Sequence, residues 1–530
     1  MTAEQMKEYL DMSPFELKNL LIRDADAAAK KTGAKVLNVG RGNPNFLNTT
    51  VREAFSYFNL FASELAGKEI KTPDLGMRPA KKRIAKKLYD YCAKIRAEPA
   101  KFLADSMKYA INEYGFDPDE FIFEMTDAVL GDFYPSPPRI FPQMEKIINK
   151  YLIEVLSPDN KPARGKFDLF AVEGATAAMV YIFKSLKENR LLKEGDHIAI
   201  LTPIFSPYLE IPALNDYRLV QIHIEQNEKM DWQVPDGEIE KLKDKKVKAF
   251  FMVHPTNPTS VKLNEKTMKK IKEVVNEHRK EDLIILTDTV YATFVDGFHS
   301  LIEILPYNTI CCYSYSKFFG VTGWRLGVIM LHENNIIDDL IGKLPESDIK
   351  ILDRDYKMDS ATPEKIKFIE RLEMDSRDVA LAHTGGLSCP QQAIMTLCSL
   401  FFLMDKELSY KRSIQAILRK RIKKLYDTLE IKLVEGPDHT YYYALIDVNF
   451  MAQEKYGKEF AEYLRKDHMM IEFLFKLAKE KYTICLPGRG FRGPRWSLRV
   501  SLANLDDEAY VQVGKNISEV MGGYYQDWKK

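Results

Sequence analysis

Hydrophobic positions along this 530-residue chain change period from one region to the next. Near the start, Ser13-Pro14-Phe15-Glu16 sets a capping serine, a proline at the first helical position and a glutamate at N3. Leu17, Leu20 and Leu21 follow at helical spacing and predict the first helix. Residues 36–47 (VLNVGRGNPNFL) break into a Gly/Pro/Asn loop. From about 52 to 130 the pattern is helical, mixed in charge and rich in aromatics, without linker, low-complexity tract or internal repeat. The middle differs. Short apolar runs recur there: FDLFAV (167–172), HIAIL (197–201), KAFFMV (248–253), LIILT (283–287), TICCY (309–313) and LGVIML (326–331). Asn264 opens a predicted helix with Met268, Ile271, Val274 and Val275 on one face. Runs apolar on both faces, alternating with helices, predict a mostly parallel α/β sheet, in which ligands sit beyond the carboxyl ends of the strands. A charged helical insert (337–378) follows, and the last part returns to mixed α+β with YYYALIDV (441–448) and WSLRVSL (496–502) as strands.

These boundaries predict a large α/β domain over 131–395. The two chain ends form a smaller α+β domain: residues 1–130, with the N-terminal segment and helical insert, and residues 396–530. Length alone, at about 150 residues per domain, predicts two to four domains.

Composition narrows the classes. Lys+Arg number 77 and Asp+Glu 76, so the net charge of +1 gives no support to a nucleic-acid surface or a polybasic membrane patch. A hydrophobic share of 45% with 29% charged residues is ordinary globular composition. Six cysteines, two of them adjacent (Cys311, Cys312), read as free buried thiols in a reducing compartment. The first twenty residues carry acidic side chains and no apolar h-region, and no run approaches the roughly 18 apolar residues of a membrane span. The expected setting is therefore cytoplasmic. The nine histidines are scattered and no C-x-x-C occurs, so no metal is expected. Gly488-Arg489-Gly490-Phe491-Arg492-Gly493 matches G-x-G-x-x-G, but Pro494 and a strand follow it. With no helix N-terminus to hold a pyrophosphate, it reads as a basic hairpin beside a site.

The chemistry gathers at strand ends. Directly after TICCY comes Ser314-Tyr315-Ser316-Lys317, and then Arg325. A lysine just past a buried strand is where a nucleophilic amine of lowered pKa would sit, and the two hydroxyls with a guanidinium suit a phosphate. After FDLFAV, Glu173-Gly174-Ala175-Thr176 turns into a helix and offers backbone N–H groups. After KAFFMV, Asn257 is held between prolines; after LIILT, Asp288 and Tyr291 lie three residues apart. A buried Asp needs a positive or N–H partner, which a pyridinium nitrogen would supply. Phe205, past HIAIL, can stack on a ring.

The spacing Ser314/Lys317/Arg325, with Asn257, Asp288 and Tyr291 upstream, resembles the fold-type-I aminotransferase superfamily, which binds pyridoxal 5′-phosphate. That resemblance implies a large domain with a mostly parallel, seven-stranded-type sheet and a smaller α+β domain. It implies that Lys317 forms the Schiff base, that Asp288 pairs with the pyridine nitrogen, and that Asn257 and Tyr291 hydrogen-bond the ring hydroxyl. Phe205 would stack on the ring, while Ala175, Thr176, Ser314, Ser316 and Arg325 hold the phosphate. Tyr134, in Gly131-Asp132-Phe133-Tyr134-Pro135, matches the tyrosine that reaches the phosphate of a partner subunit, and Arg499, in Ser497-Leu498-Arg499-Val500-Ser501, matches the arginine that takes the substrate α-carboxylate.

The helical blocks 52–130 and 337–378, the loop Gly40-Arg41-Gly42-Asn43-Pro44-Asn45-Phe46, the segment His383-Thr384-Gly385-Gly386 and Pro487-Gly488-Arg489-Gly490-Phe491 together resemble the aspartate 4-decarboxylase family. Its members convert L-aspartate to L-alanine and CO2 with side aspartate aminotransferase activity, and build assemblies of dimers. On that resemblance Arg41, Gly42 and Arg489 are substrate-binding candidates, and Thr384 approaches the phosphate from the partner chain. The alternatives are an aminotransferase acting on aspartate or a related amino acid, and a cofactor-binding protein without turnover.

Overall fold

The apolar runs of the central region assemble side by side into one sheet. The computed structural model describes residues 9, 12–157, 165–214, 220–225, 232–379 and 385–530. In chain order the strands are β1 (Leu37–Asn38), β2 (Phe167–Val172), β3 (His197–Thr202), β4 (Val220–Glu225), β5 (Val247–Val253), β6 (Ile284–Asp288), β7 (Thr309–Ser314), β8 (Gly327–His332), β9 (Tyr443–Asp447), β10 (Thr483–Ile484), β11 (Leu486–Pro487) and β12 (Ser497–Ser501). Seven form the large sheet in the order β2-β8-β7-β6-β5-β3-β4, parallel except where β8 runs antiparallel to β2 and β7. This is the expected seven-stranded, mostly parallel sheet.

The sheet is apolar on both faces because both are covered. Successive side chains of a strand point to opposite faces. Phe250, Met252 and Ile285 face the helix Glu265–Val274 through Met268, Ile271 and Val274. Phe251 points the other way, meeting Phe183 of the helix Ala175–Glu188 edge-on at 5.8 Å. Both predicted caps are present: the Ser13 hydroxyl accepts from Glu16 N at 3.3 Å, and Asn264 Oδ1 accepts from Thr267 N at 2.9 Å.

The second unit centres on the antiparallel order β11-β12-β9. The helices Ser409–Leu429 and Asp507–Lys529 pack together there, and Met470–Lys481 packs on the first helix, Pro14–Thr32. β1 pairs in parallel with β10, so the beginning of the chain joins this smaller domain as expected. The helical block does not. Its helices Thr49–Lys68, Glu98–Tyr114 and Pro118–Leu130 pack on one another and on Cys389–Met404, with Phe102 edge-on to Phe401 at 5.6 Å. Cys389–Met404 in turn packs on Pro142–Leu156 beneath the large sheet, so residues 49–130 extend the large domain. Their period announces a buried face (Phe58, Phe61, Leu103, Met107, Phe121, Met125) without naming its partner. Among the described residues no helix is long and apolar enough to cross a membrane, and no group of three or more potential ligands could hold a metal.

Candidate active site

Five strand ends of the large sheet and one strand of the smaller domain converge on a cavity of about 170 Å³. Its wall includes Ala175 and Thr176 after β2, Phe205 after β3, Asn257 after β5, Asp288 and Tyr291 at the end of β6, Ser314, Ser316, Lys317 and Arg325 around the end of β7, Gly42, and Arg499 on β12. The sequence had set these residues apart by more than 450 positions; the fold brings them together.

The loop carrying Lys317 is braced from the N-terminal side. Asn48 N donates to Phe319 O at 3.2 Å and Arg52 Nη2 to Gly320 O at 2.5 Å. Gly320 has φ +66°, and a Cβ there would collide with the Phe46 carbonyl oxygen, so both conformation and space require glycine. Phe55 lies edge-on to Trp324 at 5.6 Å, so the helical block also supports this loop.

Most of the polar groups are buried and hydrogen-bonded, with Lys317 half-buried and Arg325 exposed. Asp288, 3% exposed, accepts from Tyr208 Oη at 2.5 Å and from Val290 N at 3.0 Å. Burial pushes its carboxyl up from an ordinary 3.8 to about 6, against the pull of those hydrogen bonds and of Lys317. Lys317 Nζ donates to Gly42 O at 3.1 Å. Burial, then the charges of Arg499 and Arg325, bring its amine down from 10.5 to about 8. Asn257 Nδ2 donates to Tyr291 Oη at 3.5 Å, and burial holds the Tyr291 phenol well above its ordinary range. Ser314 Oγ donates to Ser316 Oγ at 2.9 Å. Arg325 Nη2 donates to Glu173 O at 3.0 Å and lies 2.5 Å from where a Cβ on Gly174 would stand. The helix Ala175–Glu188 starts at Gly174 without a side-chain cap, leaving its first N–H groups at the cavity.

Some predicted residues lie elsewhere. Arg41 and Arg489 are exposed and do not line this cavity. Arg489 faces a larger cleft of about 590 Å³ bordered by Pro14, Arg465, His468 and Arg495. The G-x-G-x-x-G segment forms a turn (Gly488–Phe491) between β11 and β12, with no helix behind it. Tyr134 is 64% exposed and away from the cavity of its own chain. Thr384 lies outside the described residues.

Sequence reasoning missed four wall or rim residues. Phe15 lines the cavity, edge-on to Phe205 at 5.8 Å, and Lys18 sits 5.3 Å over the Phe15 ring. Burial lowers the Lys18 pKa, and the charges of Arg41 and Arg499 lower it further. Tyr208 and Tyr443 are the other two. Tyr443 lies in the predicted strand 441–448, Tyr208 in no predicted element, and no local motif marks either.

The sheet order and the strand-end cavity walled by Lys317 and the buried Asp288 define a fold-type-I enzyme, and residues 136–515 match the family model "Aminotransferase class I and II". This chain belongs to that family, whose cofactor is pyridoxal 5′-phosphate. It is 42% identical over 99% of both chains to the bifunctional aspartate aminotransferase and L-aspartate beta-decarboxylase of a Pseudomonas species. An aspartate aminotransferase of Pyrococcus horikoshii is 27% identical over 44% of this chain and 57% of its own. Among solved structures, the Thermotoga maritima aspartate aminotransferase superposes with a TM-score of 0.60, covering 98% of this chain and all of its own at 16% identity, and so shares the fold.

The cavity suits the cofactor. Asp288 is a buried carboxylate with two donors and, among the described residues, no cation hydrogen-bonded to it, the partner a protonated ring nitrogen needs. The uncapped N–H groups at Ala175 and Thr176, the hydroxyls of Ser314 and Ser316, and Arg325 form a cradle for a phosphate.

Proposed function

We propose that this protein removes the β-carboxylate of L-aspartate as CO2, releasing L-alanine, with aspartate transamination as a side activity. The observation that carries the reading is the placement of Lys317, Asp288 and Arg499 around one cavity; similarity along the whole chain to a bifunctional aspartate enzyme supports the choice of reaction.

Lys317 would bind the cofactor aldehyde through Nζ, Asp288 would pair with its ring nitrogen, Asn257 and Tyr291 would meet its ring hydroxyl, and Ala175, Thr176, Ser314, Ser316 and Arg325 would hold its phosphate. When bound, the cofactor supplies an electron sink for bonds broken at the substrate's α-carbon. Around it the chain's own groups do three things. Arg499, fully inside the protein at 1% exposure, pairs with the α-carboxylate and so fixes which bond at Cα stands perpendicular to the ring. Lys317 Nζ, with a pKa near 8, carries a substantial fraction of neutral amine near neutral pH and removes the Cα proton. The buried Asp288 keeps its partner nitrogen protonated because its charge has no water to spread into.

The choice between products then rests on how the distal carboxylate is held. A cation gripping it tightly would stabilise the charge that disappears as CO2 leaves, so a decarboxylase needs loose pairing there. Arg41, exposed and close enough to Lys18 to lower its pKa, and Arg489, exposed on the wall of the neighbouring cleft, are the candidates assigned to that task. Tyr134 and Thr384 are assigned to the phosphate site of a partner subunit in a homodimer, with further association of dimers; the exposure of Tyr134 supports this part of the reading. Six buried free thiols suit a reducing, cytoplasmic setting. The test is incubation of the holoenzyme with L-aspartate and no keto acid, following alanine, CO2 and oxaloacetate together. Catalytic release of alanine and CO2 supports the reading. Oxaloacetate with no CO2 would leave a plain transaminase.

A further inference from the structure

Four side chains beside the cavity form a circuit of hydrogen bonds that runs in one direction. Arg499 Nη1 donates to Asn257 Oδ1 at 3.5 Å, Asn257 Nδ2 donates to Tyr291 Oη at 3.5 Å, and Tyr291 Oη donates to Tyr443 Oη at 3.0 Å. The circuit folds back on itself, because the Tyr443 ring centroid lies 4.4 Å from Arg499 Cζ. Two donors in it remain open. Arg499 Nη2 donates to Gly40 O at 2.7 Å, but among the described residues the buried Nε finds no acceptor. Tyr443 accepts from Tyr291, and among the described residues no group takes its own proton.

Both residues line the cavity, and the chain makes room for the phenol there. A Cβ on Gly42 would stand 2.5 Å from Tyr443 Oη and 3.6 Å from Lys317 Nζ. Tyr442 Oη donates to Gly42 O at 2.8 Å and holds that loop at this distance. Tyr443 itself is 3% exposed, and its backbone N–H donates to Ser260 Oγ at 2.8 Å, tying it to the loop that bears Asn257.

Buried donors without acceptors are costly and rare in a finished structure, so two of them on residues that line one cavity, one on a guanidinium, mark a place for an anion. We propose that Tyr443 is a second substrate-binding residue: its hydroxyl donates to the same carboxylate that pairs with Arg499. The Tyr291 hydroxyl occupies one side of the Tyr443 oxygen, and this leaves the Tyr443 proton to turn toward the cavity. A phenol adds direction without charge. With Arg499 alone a carboxylate can pivot about the guanidinium edge; a second donor set off that plane stops the pivot and fixes the bonds at Cα.

The inference rests on the cavity being an amino-acid site, and the experiment separates the two. Maleate, a dicarboxylate with no amine to react, is titrated into holoenzyme and followed by the cofactor's visible absorbance. Tyr443→Phe keeps the ring under Arg499 and removes only the proton and the oxygen. Maleate affinity should fall about ten-fold in this variant, with cofactor affinity changed less than two-fold. Tyr291→Phe keeps the Tyr443 hydroxyl, so it should hold maleate within about three-fold while shifting the pH titration of the absorbance. 3-Fluorotyrosine at 443, with fluorine in place of one ring hydrogen and a stronger O–H donor, reads the same bond with opposite sign and should tighten maleate two- to three-fold. Unchanged affinity in Tyr443→Phe, equal weakening in Tyr291→Phe and Tyr443→Phe, or no tightening by fluorotyrosine would overturn the role of Tyr443. Wild-type holoenzyme that binds no maleate at all would overturn the substrate reading beneath it.

Discussion

Replacing Asp288 by Asn should push the apoprotein and the holoenzyme in opposite directions. In the apoprotein the carboxylate is buried with Tyr208 and Val290 as its hydrogen-bond donors, and burial lifts its pKa from 3.8 to about 6. That difference corresponds to roughly 3 kcal/mol. The sign follows from linkage. A folded pKa above the unfolded value means that the protonated form is favoured in the folded state, so the contribution is whole below pH 3.8 and is lost as pH rises through about 6. At pH 7.5 the wild-type apoprotein therefore carries the full penalty. Asparagine has the same shape and no charge, but one of its two side-chain atoms is now a donor, so one of the two incoming hydrogen bonds is lost at about 1 kcal/mol. The variant apoprotein should be more stable than wild type by about 2 kcal/mol at pH 7.5, with the advantage gone below pH 4. The holoenzyme loses the charge pair with the ring nitrogen, so cofactor affinity should drop roughly 100-fold and turnover by several orders. Urea midpoints of both apoproteins from pH 4 to 8, with cofactor titrations of each, make the measurement. An Asn variant no more stable than wild type at pH 7.5, and holding cofactor within three-fold, would refute the assignment.

Gly42→Ala should leave the fold intact but move either the Tyr443 phenol or the Lys317 amine, since its Cβ falls 2.5 Å from one and 3.6 Å from the other; a loss of 10- to 100-fold in kcat/KM with an unchanged urea midpoint is expected. Gly320→Ala combines a left-handed φ of +66° with a collision against the Phe46 carbonyl, so it should destabilise by at least about 2 kcal/mol and loosen cofactor, both read in one thermal and absorbance scan. Arg41→Ala and Arg489→Ala should change the alanine-to-oxaloacetate ratio at saturating L-aspartate, whereas Arg499→Ala should raise KM and depress both products together. Equal loss of both products in all three variants would show that neither exposed arginine governs the partition.

Most of the sheet and most of the candidate site's cavity wall were legible in the chain because each signal there is local. A fully buried parallel strand is a short apolar run, and β2, β3, β5, β6, β7 and β8 all match one within a residue or so at each end. β4 escaped notice because it lies at the sheet edge and alternates apolar positions with Gln221, His223 and Glu225. The strand-end residues were found because a lysine, an aspartate and an asparagine each follow such a run directly. Long-range choices were not legible. The helices of 49–130 have the amphipathic period of any packed helix, and only the fold shows that their partner is Cys389–Met404 and not the smaller domain. Tyr208 and Tyr443 carry no sequence signal because their roles come from contacts made across 80 and 152 residues. The Gly-rich setting of Arg489 marks a candidate without showing which cavity it faces; Gly490 lies against Pro14, and Arg489 lines the larger neighbouring cleft.

The central claim is that the catalytic centre is built on Lys317. It is tested most directly by reducing the holoenzyme with borohydride, digesting it and mapping the cofactor by mass. The account predicts a single labelled peptide with the cofactor's mass on Lys317 Nζ, a stoichiometry of one per chain, and complete loss of L-aspartate turnover. Label on another lysine, or no label in an enzyme that still turns over L-aspartate, would contradict it.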